Sequence, residues 1–319
     1  MDIYLDQNQW IPLARAFHGR EQNAEVVRAA DLISNAVRSG AVRLPISRLH
    51  LIEATKTPDD ARRRRLIEAF IHFSHGWIVR PAEVLHAEEL LKWFRGEEPV
   101  APTALGRGLL AAFGSYDDAA RQLGVTADEL DDLDAFAESA DVWFHALTAT
   151  SFRRQATQVH LTANNYAANI ESVRAAWAAL PEHERRVVFA EGVVQDTIEA
   201  LQPAGGDLQH ALARLHGWPR NDLPALLTRI PTLDVLFTLG EAKARNLSRA
   251  TDPNDLWDLA FLAAALPYCA IVVTESSWAA LARDTGLSVR RGSKVLPRLA
   301  DLIPVLEESV PFNEGRTVQ

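Results

Sequence analysis

The sequence contains one cysteine, Cys269, and one methionine in 319 residues. A lone thiol makes neither an internal disulfide nor a cysteine zinc site, which points to a reducing compartment and to the cytoplasm. Lysine is almost as scarce. Lys56, Lys92, Lys243 and Lys294 are four of the 33 basic residues, and all the others are arginine. Long apolar runs are missing too. The longest, Leu259 to Val273, is broken by Pro267 and falls short of the ~20 residues a membrane-spanning helix needs, so no membrane association is expected. The opening MDIYLDQNQW is acidic and lacks a basic cluster, so no secretory leader is expected. The ten histidines show no zincin spacing, and the glycine signatures of P-loop, dinucleotide and serine-hydrolase sites do not occur.

What is present is ordinary for a globular chain: 48% apolar and 24% charged residues. At roughly 150 residues per domain, the length suggests about two domains. The 42 acids outweigh the 33 bases, for a net charge of −9. That sign excludes non-specific coating of nucleic acid, but leaves room for an enzyme with a local basic rim. Arginine suits bidentate phosphate contacts, although the alanine-rich composition also fits a codon bias from arginine-favouring DNA.

Hydrophobic periodicity gives an α/β alternation at both ends. IYLD opens as a strand, followed by helices over 7–17 and 24–38, a strand over 42–47, and helix RLHLIEAT capped by Ser47. A helix over 60–73, strand WIVR and a helix over 82–95 follow. From EEPVAPT to about residue 228 the periods are helical, with almost no strand candidate. The alternation returns with capped helix DPNDLWDLAFLAAAL, strand CAIVVT, helix SSWAALARDTGL and a last helix within 296–309. The expected architecture is an α/β domain with a parallel sheet, split into 1–96 and 229–319 by a helical insertion at 97–228.

Four acids occupy suggestive places. Asp6 ends the first strand, Glu53 lies on the helix leaving the second, Asp258 is early in the helix before CAIVVT, and Glu275 follows that strand. In an open parallel sheet, ligands bind beyond the carboxyl ends of the strands where strand order reverses. Each residue alone is explained as a cap or a solvated helix position, but together they form a pattern. Like charges about 4 Å apart repel by roughly 4 kcal/mol at an effective dielectric of 20, so such a cluster needs protons or cations. Carboxylates without nearby histidine or cysteine suit Mg²⁺ or Mn²⁺. Asp255, one turn before Asp258, shares its face and is a further candidate ligand.

YLDQNQWI, PISRLHLIE and NDLWDLAFLAAALPYCAIVVTESSW, in that order, resemble the PIN-domain nucleases over about 1–96 and 229–308. The resemblance implies a three-layer α/β/α fold and a metal-dependent endoribonuclease. Asp6, Glu53, Asp258 and Glu275 would be its catalytic metal ligands, and its products would carry 5′-phosphate and 3′-hydroxyl ends. Many members are toxins or host-defence effectors, which implies restraint by an inhibitory or regulatory protein and is compatible with a homo-oligomer. Two departures stand out: Gln7 and Asn8 follow the first aspartate, and the fourth acid is Glu275 directly after Thr274, where many members have an aspartate one position later.

Asn8, Lys243, Arg245 and Arg249 are the candidate substrate contacts, the last three as phosphate ligands at the site mouth. The runs Arg62–Arg65 and Arg290, Arg291, Lys294 read more simply as solvated faces. Trp10 and Trp278 could stack on bases, with helix-on-sheet packing the competing use. Residues 116–133 have a helix-turn-helix look, but their second helix is too acidic to enter a major groove. Two other functions compete: a phosphohydrolase or phosphotransferase using Asp6 as nucleophile, and a non-catalytic RNA-binding or scaffold protein with a degenerate site.

Overall fold

The computed structural model describes residues 1–126, 174–201, 205–246 and 252–309, with positions 139, 143–144, 147–148, 152–154, 157, 164, 168 and 171. Strand β1 (Ile3–Leu5) is wholly buried. Asp6 ends it and caps helix α1 (Gln7–Phe17), accepting the Gln9 amide proton at 3.1 Å. Helix α2 (Ala24–Arg38) is capped by Asn23 and leads to β2 (Ile46–Ser47). Ser47 then caps α3 (Arg48–Ala54), and Asp59 caps α4 (Asp60–Ser74). Trp10 of α1 meets Phe70 of α4 edge-on at 5.0 Å, a contact worth about 0.5–1.5 kcal/mol beyond area burial.

Strand β3 (Trp77–Val79), helix α5 (Ala82–Phe94) and strand β4 (Leu105–Arg107) complete the first flank. The block after residue 97, expected to be helical, thus supplies a strand: β4 runs antiparallel to β3, with Trp77 opposite Arg107. Gly106 sits where a Cβ would lie 2.6 Å from the Ala111 Cβ, so the close approach of β4 to α6 (Gly108–Phe113) requires glycine. Helices α7 (Tyr116–Leu123), α8 (Glu182–Leu201), α9 (Asp207–His216) and α10 (Leu223–Leu227) follow among the described residues. The second flank holds α11 (Pro231–Arg245), α12 (Pro253–Ala265), β5 (Ile271–Val273), α13 (Ser276–Asp284), α14 (Leu287–Arg291), β6 (Lys294–Leu296) and α15 (Ile303–Ser309).

The protein is mixed α/β with two three-stranded sheets. One is parallel throughout, in the order β1-β5-β6; the other is β2-β3-β4, with β2 parallel to β3. A single parallel bridge, Asp2 to Arg43, links β1 to the chain ahead of β2. Strand order across the pair is therefore β4-β3-β2-β1-β5-β6, and it reverses at β1. Ile3 pairs with Ile271, so both flanks share a sheet despite their separation in sequence.

The main apolar cluster runs from Ile3 to Leu306 and includes Leu109, Phe113 and Leu123, so the segment after β4 packs with the flanks. A second cluster joins Leu90 and Trp93 of α5 to Val194, Leu215, Leu226 and Phe237. Helix α11 serves both, with Val235 and Leu239 in the first and Leu233 and Phe237 in the second. Asp234, fully buried on α11, accepts from Arg290 at 2.8 Å and Arg291 at 2.6 Å, fixing α14 to that helix. These arginines are therefore structural rather than a solvated face. Among the described residues, no single helix is long and apolar enough to cross a membrane.

Candidate functional site

The reversal of strand order at β1 leaves the carboxyl ends of β1 and β5 side by side, with the Asp6 amide donating to the Val273 carbonyl at 2.9 Å. Asp6 and Glu275 stand immediately beyond these two ends. Helix α12 brings Asp258 to them from the chain entering β5, and α3 brings Glu53 from the β2 side. Asp258 senses the charges of Asp6, Glu275 and Glu53, and Glu53 senses Asp6. Segments up to 269 residues apart in sequence thus form one electrostatic unit.

Asp6, Glu53 and Asp258 resist ionisation. Burial pushes the Asp6 carboxyl up to about 6, against the nearby Thr274 hydroxyl and Gln9 amide, and the Glu275 charge adds to the rise. Burial pushes Glu53 up to about 7, opposed by Lys56, whose Nζ lies 3.7 Å from Oε1. Burial also raises Asp258 to about 7, against the Trp278 indole N–H, which donates to Oδ2 at 2.8 Å. Two carboxylate oxygens, Asp6 Oδ2 and Glu53 Oε2, are buried without a hydrogen-bond partner. Such atoms cost desolvation energy that only a proton or a cation offsets. Carboxylate oxygens of this kind are the donors a hard divalent cation takes. Among the described residues, however, no three His, Cys, Asp or Glu side chains already close around a point where an ion could be held.

The surrounding residues divide into those that hold the acids and those turned elsewhere. Asn8 donates from Nδ2 to Glu275 Oε1, orienting the fourth acid. Lys243 places Nζ 2.8 Å from Asp255 Oδ1 and 4.3 Å from the Trp278 ring centre, so it neutralises Asp255 and braces the indole that holds Asp258. Asp255 also closes a capping box, accepting the Asp252 amide at 3.2 Å. Arg245 bonds Glu241 and lies 3.4 Å from Glu182. Arg249 lies outside the described residues, as does most of the second helix of the helix-turn-helix candidate. Asp255→Ala is expected to lower stability by about 0.5–2 kcal/mol, the scale of a lost cap, and to leave Mn²⁺ affinity unchanged. Chemical denaturation and calorimetric titration of that variant check both.

Trp10 and Trp278 are 0% and 1% exposed, which removes them as stacking platforms for bases. His50 is the positioning residue the sequence pattern did not single out. Its Nδ1 accepts the Ser47 amide proton at 2.9 Å, completing the capping box of α3. Burial pushes its pKa down to about 3, so the ring is neutral and its proton resides on Nε2. The ring packs against Tyr4 at 5.2 Å and Phe261 at 5.0 Å, tying α3 to β1 and α12. Glu53 follows three residues later on the same face. Ser47 followed by a ring acceptor at the third helical position was the available signal. It was obscured because that position is normally Glu or Gln.

No known protein family, no curated protein and no solved structure matches this chain.

Proposed function

We propose that this chain is a metal-dependent endoribonuclease with a PIN-like three-layer α/β/α domain assembled from 1–96 and 229–319, to which β4 and the helices after it, up to Leu123, add from the intervening block 97–228. The observation that carries the reading is the convergence of Asp6, Glu53, Asp258 and Glu275 into one coupled cluster with two buried, unpartnered carboxylate oxygens. These four would hold Mg²⁺ or Mn²⁺. A divalent cation there supplies positive charge against a phosphodiester in its transition state and acidifies water for in-line attack. The chain's own groups set the geometry: the Trp278 indole fixes Asp258, Asn8 fixes Glu275, Lys56 stands beside Glu53, and the Asp6 backbone is locked to β5. RNA is the proposed substrate, with 5′-phosphate and 3′-hydroxyl products, in the cytoplasm and under the restraint of a regulatory protein. The test is incubation of purified protein with total RNA and Mn²⁺, with and without chelator. Chelator-sensitive cleavage is expected. Intact RNA in both arms would overturn the reading, and a phosphoryl group trapped on Asp6 would replace it with phosphotransfer.

A further inference from the structure

Helices α1 and α4 border a cavity of about 70 Å³ lined by Arg15, Arg20, Arg62 and Arg65, together with Gln7 and His18. No acidic residue lines it. Several arginines elsewhere are matched, among them Arg28 with Glu307, Arg48 with Glu83, Arg80 with Glu88, and Arg290 and Arg291 with Asp234. None of the four cavity arginines forms an ion pair among the described residues. Glu68 faces His18 at 3.6 Å and Arg64 at 3.3 Å, and Asp59 is engaged in capping α4 through the Arg62 amide at 2.9 Å. In a protein of net charge −9, four guanidinium side chains around a cavity with no acid in its lining favour an anion, with Asp59 the nearby charge that Arg62 and Arg65 also feel.

Size and place narrow the anion. A water needs about 10–15 Å³ of such space, so the cavity takes several water-sized groups, enough for the oxygens of one phosphate. Gln7 directly follows Asp6 and lines the cavity. The cavity therefore begins one residue along the chain from Asp6, and none of the four acids lines it. We infer that it is a phosphate subsite, seating one backbone phosphate of a single RNA strand beside the carboxylates. This rests on the ribonuclease reading for its ligand, though not for its test.

The test measures binding of a labelled RNA oligonucleotide to the full chain in chelator, where turnover is absent, over a range of salt. The variants are Arg15→Ala with Arg20→Ala, Arg62→Ala with Arg65→Ala, and the corresponding lysine pairs. Arg283→Ala serves as a distant control. Each alanine pair is expected to weaken binding about tenfold or more and to reduce the salt slope by about 0.7, one single-strand phosphate contact. The lysine pairs, which keep charge but lose the bidentate fork, are expected to fall between parent and alanine pairs, and they carry the test if an alanine pair does not fold. Inorganic phosphate is expected to compete with RNA on the parent. RNA affinity and slope unchanged in both sets would overturn the inference. Arginine-dependent binding of inorganic phosphate with arginine-independent binding of RNA would also overturn it, in favour of a free-phosphate pocket. The two readings fail separately: RNA bound through these arginines but not cleaved in Mn²⁺ sinks only the nuclease, and cleavage indifferent to them sinks only the subsite.

Discussion

Asp6→Asn is expected to reduce Mn²⁺-dependent RNA cleavage by about 10³-fold or more, with the fold intact. The substitution isolates charge from structure. Asp6 Oδ1 caps α1, and asparagine caps helices as well as aspartate does, so the bond to the Gln9 amide survives. What is lost is the negative charge on the buried, unpartnered Oδ2. Removing one charge from a cluster whose members raise one another's pKa relieves repulsion. The melting temperature in chelator should therefore stay level or rise while Mn²⁺ affinity falls. Glu53→Gln and Asp258→Asn should behave alike, and Glu275→Gln should be milder. Parent-like Mn²⁺ binding in the first three would mean that the acids hold no ion.

The second large effect is on stability against pH. Asp6 titrates at about 6 in the folded protein, and Glu53 and Asp258 at about 7. In an unfolded chain such groups titrate near ~4. Since the folded values are the higher ones, the native state binds the extra protons between these limits. The stabilisation is fully present below pH ~4 and is lost as pH rises through 6 and 7, on the order of 3 kcal/mol per group. In chelator, the parent should lose several kcal/mol of unfolding free energy between pH 5 and pH 8, measured by urea denaturation. An Asp6→Asn, Glu53→Gln double variant should lose much less. Mn²⁺ added at pH 8 should restore the parent and not the variant. A parent with the same pH slope as the double variant would show that the cluster carries no such protons.

Much of the fold could be read from the sequence because its elements announce themselves. Asp6 and Ser47 cap helices directly after strands, Asp252 caps α12, and IVV at 271–273 has the β-branched density of a buried strand. β4 and β6 were not readable. LGR and KVL contain a glycine and a lysine that favour strand poorly, and they lack the β-branched density of the strands that were read. The acids were legible as an ordered series at strand ends. The roles of Lys243 and Trp278 were not, because they depend on α11 and α13 meeting beside α12, which no local pattern encodes. Lys243 carries the right charge for a phosphate ligand, and its partner is Asp255. The Arg62–Arg65 run hid a division of labour that only packing reveals. Arg63 turns inward to the Thr57 carbonyl and Arg64 pairs with Glu68, whereas Arg62 and Arg65 reach the cavity.

The backbone join between the two sheets is one bridge wide. Ile3 donates to the Arg43 carbonyl at 3.0 Å and Arg43 to the Met1 carbonyl at 2.9 Å, with the Arg43–Asp2 ion pair alongside. Mechanically this is a seam, and the four acids straddle it. Asp6, Asp258 and Glu275 belong to the half built around β1 and β5, whereas Glu53 hangs from the half built around β2 and β3. Opening the seam would draw Glu53 away from the other three, against the Tyr4–Ser47 hydrogen bond and the His50 packing that also cross it. A ligand that grips all four would favour the closed seam by mass action. The exchange rates of the Ile3 and Arg43 amide hydrogens are therefore a direct gauge of whether the two halves are clasped.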